Sequence, residues 1–239
     1  MRHVTESAPR LVDVAAARNP AGAQAVVLLL HGGRAVSSQP VRSNQLAVLR
    51  MVPIARRIAA AGRGNLAVFR LRFGVRGWNG DQMSPVADAN WALAELLGRY
   101  PDRPIGLLGH SMGARTALRV GGHEGVRGIV GLAPWLLPGE PIRQLAGRQV
   151  LLIHGDQDRM TSATLSARFS DQLRSAGVTS SFVSVRGDGH AMLRRAVLWN
   201  ELATAFLLGT LLPELAQSAT VTAPNYLRQV VEGVARITV

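Results

Sequence analysis

The 239-residue chain contains no cysteine and no lysine: all 27 basic residues are arginine, set against 15 Asp and Glu, for a net charge of +12. Without cysteine there is no disulfide framework, no thiolate metal site, no iron–sulfur cluster and no cysteine nucleophile. Long hydrophobic runs are missing too. The first apolar run, Ala25 to Leu30, is too short and too far into the chain for a secretory signal, and no stretch approaches the ~18 apolar residues of a membrane span. These absences lead to the expectation of a soluble, cytoplasmic protein with no membrane partner. The arginines are scattered, the longest basic runs being the pairs Arg56-Arg57 and Arg194-Arg195. Such a spread fits arginine-rich codon usage better than a nucleic-acid-binding stripe, and no nucleic-acid partner is expected.

Apolar residues make up 47% of the chain and charged residues 18%. That balance excludes intrinsic disorder, and the length suits one α/β domain over 1–239 with a substantial core. Continuous apolar runs at Ala25–Leu30, Asn65–Leu71, Pro104–Gly109, Gly128–Ala133, Gln149–His154 and Ser180–Val185 read as strands buried on both faces. Val12–Ala17 is a possible early strand. Helical patterns lie between them, at Leu46–Ala61 (with Pro53 as a kink or a later start), Ser84–Tyr100, Ser111–Val120, Thr161–Ala176 and Leu193–Leu208. Ser84-Pro85 reads as an N-cap followed by a first-turn proline. Strand–helix alternation of this kind predicts a mostly parallel central sheet with helices on both faces. Residues 209–239 read as a C-terminal helical tail, whose Tyr226, Leu227, Val230, Val231 and Val234 face the parent domain.

Gly109-His110-Ser111-Met112-Gly113 is a Gly-x-Ser-x-Gly motif with an apolar strand before it and a helix after it. A turn this tight strains the serine backbone. The flanking glycines admit neighbouring backbone, and the serine projects at the carboxyl edge of the sheet beside a helix N-terminus. Here the chain resembles the α/β-hydrolase superfamily, in which nucleophile, acid and histidine follow in that order. The resemblance implies Ser111 as nucleophile. His154-Gly155-Asp156-Gln157-Asp158 matches the family's His-Gly-x-x-Asp, implying Asp158 as the acid, with Asp156 as the rival two residues earlier. Gly189-His190-Ala191-Met192-Leu193 implies His190 as the base. For the oxyanion hole it implies the backbone N–H of Met112 and one from His31-Gly32-Gly33, with Gly33 the donor and Arg34 an alternative by one residue. His110 is expected to pack against the elbow, and His154 to shape the acid loop.

The resemblance implies acyl transfer through an acyl-enzyme, with no cofactor and no metal. About 14 residues from Pro134 to Arg148 are too few for a helical lid, so the site should be open to small or medium carboxylic esters. A thioesterase, an amidase or peptidase, and a catalytically idle binding protein are the alternatives. The compact chain and Arg76-Gly77-Trp78-Asn79-Gly80 loosely resemble the dienelactone-hydrolase and prolyl-oligopeptidase branch, although dienelactone hydrolases carry cysteine where Ser111 stands. Arg34, Trp78 and Trp135 are substrate-pocket candidates, either tryptophan being equally readable as core. Arg70, Arg72, Arg76 and Arg159 could also rim the site. The expected partner is a small-molecule acyl substrate, and the chain a monomer or homodimer.

Overall fold

The computed structural model describes residues 8–15, 22–220 and 223–239. Its centre is an eight-stranded sheet: β1 (Arg10–Ala15), β2 (Ala25–Leu30), β3 (Leu66–Arg72), β4 (Ile105–His110), β5 (Val126–Leu132), β6 (Gln149–Gly155), β7 (Thr179–Val185) and β8 (Arg236–Thr238). The spatial order is β1-β3-β2-β4-β5-β6-β7-β8. Only β1 runs antiparallel, against β3, and all the other pairs are parallel. The early strand thus begins two residues sooner than the sequence pattern suggests, and Ala16 and Ala17 lie outside the described residues.

The unbroken apolar strands have a direct explanation. Val26, Leu28 and Leu30 of β2 enter one core, while Ala25, Val27 and Leu29 enter another on the opposite face. The first core is closed by α3 (Ser84–Arg99), α4 (Met112–Val120) and α5 (Ala163–Ser175). The second is closed by α2 (Met51–Ala61), α6 (Ala196–Leu211), α7 (Pro213–Thr220) and α8 (Asn225–Val231). With both faces covered, each strand position meets apolar neighbours and alternation disappears.

Several boundaries differ from the sequence reading for physical reasons. The Leu46–Ala61 pattern is two helices, α1 (Leu46–Leu49) and α2, and the restart places Pro53 in the first turn of α2, where its missing N–H costs no bond. Ser84 is not a cap: it is the first residue of α3, and its Oγ accepts from Asn79 Nδ2 at 3.1 Å. Thr161 is left out of α5, because Ser162 Oγ caps that helix by accepting from the Leu165 N–H at 3.1 Å. The last long helix starts at Ala196 rather than Leu193. The C-terminal segment is not purely helical. After α8, whose Val230 is buried, the chain adds β8 beside β7.

Between β5 and β6, residues 133–148 hold a single 3-10 turn at Arg143–Leu145 and no lid. Parallel pairing brings the ends of β2, β4, β5, β6 and β7 to one edge, so the loops after them share a face.

Candidate active site

Ser111 sits between β4 and α4 with φ 55° and ψ −115°, a left-handed backbone that costs a non-glycine residue on the order of 1–3 kcal/mol. The elbow holds it there. Its N–H donates to the Leu132 carbonyl at 2.9 Å, and its carbonyl accepts from Ala114, Arg115 and Trp135. A Cβ at Gly109 would strike the backbone of Gly113 and Ala114, and one at Gly113 the carbonyls of Leu30 and His31. Only glycine allows α4 to start this close to β2 and β4.

Asp158 lies against His190: Nδ1 of the imidazole donates to Oδ2 at 2.8 Å. Asp156 does something else, its Oδ1 accepting the Gly187 N–H at 2.8 Å and thereby tying the β6 loop to the β7 loop. The Asp158 side chain is fully buried. Its Oδ1 accepts from the N–H of Met160 and Thr161 at 2.8 and 3.0 Å, and its Oδ2 from the Thr161 hydroxyl at 2.8 Å. His154 Nε2 stands 3.1 Å from the same Oδ2. Burial alone would raise the Asp158 pKa. The donors outweigh it, His154 first and then Thr161 and His190, and hold the carboxylate well below its usual range. It is therefore an anion facing His190 Nδ1. Among the described residues the Ser111 hydroxyl makes no hydrogen bond.

The loop after β2 is zipped to the loop after β3. Arg34 N–H donates to the Arg76 carbonyl at 2.8 Å, and Trp78 N–H returns to the Arg34 carbonyl at 2.8 Å. This spends the Arg34 amide, whereas the amides of Gly33 and Met112 donate to no protein acceptor among the described residues. Gly33 must be glycine here, since a Cβ would meet the Arg76 carbonyl and the Met112 thioether. His31 sets the loop direction. Its Nδ1 bonds the Gly32 carbonyl at 2.7 Å while Nε2 accepts the Phe73 N–H at 3.2 Å, which makes it the neutral Nδ1–H tautomer. Burial pushes its pKa down to about 4.

The pocket candidates divide. Arg34 lines a cavity of about 310 Å³ with Gly33 and Arg76. Trp78 is only 4% exposed, and the Arg115 guanidinium lies over its ring at 4.1 Å and over that of Trp135 at 4.8 Å. Arg115 in turn pairs with buried Glu140 at 2.5 Å. Trp78 is therefore part of a packed cation–π cluster under the elbow rather than a pocket wall. Half-buried Trp135 stays beside Ser111 through its N–H.

Two positions, Thr161 and Asp188, escaped the sequence reading, and His110, expected to pack against the elbow, also meets His190. Thr161 touches Asp158, His154 and His190 at once. Asp188, buried before His190, accepts from the N–H of Gly189 and Arg195 and from Trp199 Nε1, which pins the histidine loop to α6. His110 stacks 4.9 Å from the His190 ring, and its Nε2–H donates to the His190 carbonyl at 3.0 Å. Burial first, and the neighbouring His190 second, push the His110 pKa down to about 3. An aspartate directly before the Gly189-His190 pair was the available signal for Asp188. Nothing in the sequence pattern singles out Thr161. Among the described residues no cluster of His, Asp and Glu could hold a metal ion.

Solved structures place this architecture. A protein from Butyrivibrio proteoclasticus, solved with ferulic acid bound, superposes with a TM-score of 0.64 at 16% identity, over 84% of this chain and 95% of that one. The fold is that of the α/β hydrolases. An esterase from Pyrococcus furiosus matches with a TM-score of 0.62 at 14% identity, over 85% of this chain and 91% of that one. An α/β serine hydrolase without a lid, from Xanthomonas campestris, matches with a TM-score of 0.59 at 17% identity, over 84% and 88%. No protein-family profile and no curated protein matches the chain. Within the α/β-hydrolase fold, Ser111, Asp158 and His190 follow β4, β6 and β7.

Proposed function

We propose that the protein is a serine hydrolase that cleaves small or medium carboxylic esters through an acyl-enzyme. The observation that carries this reading is the buried, anionic Asp158 bonded to His190 Nδ1 at 2.8 Å at the sheet edge that presents the strained Ser111. Nε2 is the imidazole nitrogen left to take the Ser111 proton as the hydroxyl oxygen attacks the ester carbon. Asp158 orients the ring and stabilises its cationic form, and His190 then protonates the leaving alcohol and activates water. The free amides of Gly33 and Met112 are the oxyanion donors in this reading. The connection without a lid supports an open site, and the ferulic-acid-bound and esterase neighbours support ester chemistry. In the same reading the chain is one cytoplasmic domain, monomeric or homodimeric, needing no cofactor.

The test is labelling with a fluorophosphonate probe. Wild type should form the adduct and Ser111→Ala should not; an unlabelled wild type would sink the proposal. A panel of nitrophenyl esters, acyl thioesters and amides of graded acyl length then reads the leaving group. Preference for thioesters or amides would move the assignment, and a strong preference for long acyl chains would contradict the open site.

A further inference from the structure

The exposed large apolar side chains are not spread over the molecule. Val36, Leu46 and Leu49 lie on the segment after β2, Met160 after β6, and Leu193 and Val197 after β7. Leu137, after β5, is a seventh, and among the described residues only Trp91, on α3, is away from these connections. Leu46, Met160 and Leu193 are 77%, 76% and 71% exposed, unusually bare for residues of this size.

Four of them are also continuous. Leu46, Leu49 and Leu193 line one groove of about 190 Å³, and Leu193 continues into a cavity of about 890 Å³ with Met160 and His190. An apolar rim therefore runs past the candidate active site. Charged groups of both signs border it. Arg159 and Arg194 line the larger cavity, and Arg34 and Arg76 the cavity beside Gly33. None of the four joins an ion pair among the described residues. Of the carboxylates in the larger cavity, Asp158 and Asp188 are buried and hydrogen-bonded, and exposed Asp156 accepts the Gly187 N–H. Asp81, on the loop after β3, is exposed.

We propose that this edge docks on an anionic lipid surface, the apolar tips entering the interface and the guanidinium groups resting at headgroup level. A second copy fits less well, because it would bring another net charge of +12 against the first. A nucleic acid would reward the arginines but not the leucines. No described helix is long and apolar enough to cross a membrane, and a docked rim needs none. The proposal concerns binding and does not depend on Ser111 as nucleophile.

The test is co-sedimentation with vesicles of phosphatidylcholine alone or mixed with phosphatidylglycerol. Wild type should bind the mixed vesicles about tenfold more tightly or better, each exposed arginine adding to the attraction. The double variant L46S/L193S should lose about tenfold or more on the same vesicles, through lost apolar insertion. Trp91→Ser, an exposed apolar residue away from the rim, and Ser111→Ala should both bind as wild type. Failure of wild type to bind, or undiminished binding by L46S/L193S, would overturn the proposal. So would a concentration-dependent dimer on gel filtration that L46S/L193S abolishes, since a second copy would then cover the rim. Fluorophosphonate labelling of the same samples keeps this outcome separate from that of the hydrolase reading.

Discussion

Asp158 is shared by two histidines: its Oδ2 lies 2.8 Å from His190 Nδ1 and 3.1 Å from His154 Nε2. A carboxylate can only accept, so both nitrogens carry hydrogen, and His154 Nδ1 is left to Ser166 Oγ at 2.9 Å. The Thr161 hydroxyl completes the cage. Thr161→Val keeps the shape and deletes that donor. It should lower kcat by about tenfold with little change in KM, and cost about 1–3 kcal/mol of stability. Thr161→Ser should restore most of kcat. Steady-state kinetics of the three proteins, with urea unfolding, is the measurement.

The two neighbouring aspartates should separate sharply. Asp158→Asn removes the anion from His190 Nδ1 and should reduce kcat by about 10³–10⁴-fold. Asp156→Asn weakens only the bond to the Gly187 amide and should cost less than about tenfold. The reverse ranking would reassign the acid.

Acid should unfold the protein through residues outside the proposed triad. His31 and His110 have pKa values lowered from 6.5 to about 4 and about 3. Below pH 6.5 the unfolded chain therefore takes up protons that the folded chain refuses. Their contribution to stability is whole above that pH and is lost as the pH falls toward the folded values. The slope approaches about 1.4 kcal/mol per pH unit for each proton. Urea midpoints should fall between about pH 7 and about pH 5, and His31→Asn should flatten that fall. An unchanged slope in the variant would mean that His31 is not a source of the acid sensitivity.

The Arg115–Glu140 pair carries its own consequence. The side chains are 7% and 4% exposed, and Arg119 joins Glu140 at 2.7 Å. Glu140→Ala would leave Arg115 charged and buried beneath Trp78 and Trp135, at a cost of about 3–5 kcal/mol. The thermal midpoint should drop accordingly. Because Trp135 donates its N–H to the Ser111 carbonyl, the elbow should loosen with it, and the rate of fluorophosphonate labelling should fall in the surviving folded fraction.

Much of the site was legible because its parts are local. The elbow announces itself through Gly109 and Gly113, whose positions backbone contact dictates, and the candidates Ser111, Asp158 and His190, read from the family resemblance, lie just after β4, β6 and β7. The missing parts are non-local or carry no pattern. Thr161 reads as the start of a helix until Ser162 is seen to cap it. Trp78, Arg115, Trp135 and Glu140 meet across more than sixty positions of sequence without any shared periodicity. Strand β8, three residues long, is too short to show alternation, and only β7 beside it makes it a strand.

The backbone of Ser111 has a further implication. A positive φ is comfortable for glycine and uncomfortable for serine, so the most stable form of this turn is one with no side chain at all. Ser111→Gly should melt higher than the native protein while losing its hydroxyl. At this position durability and reactivity oppose each other, and selection for heat resistance alone would erase the proposed nucleophile.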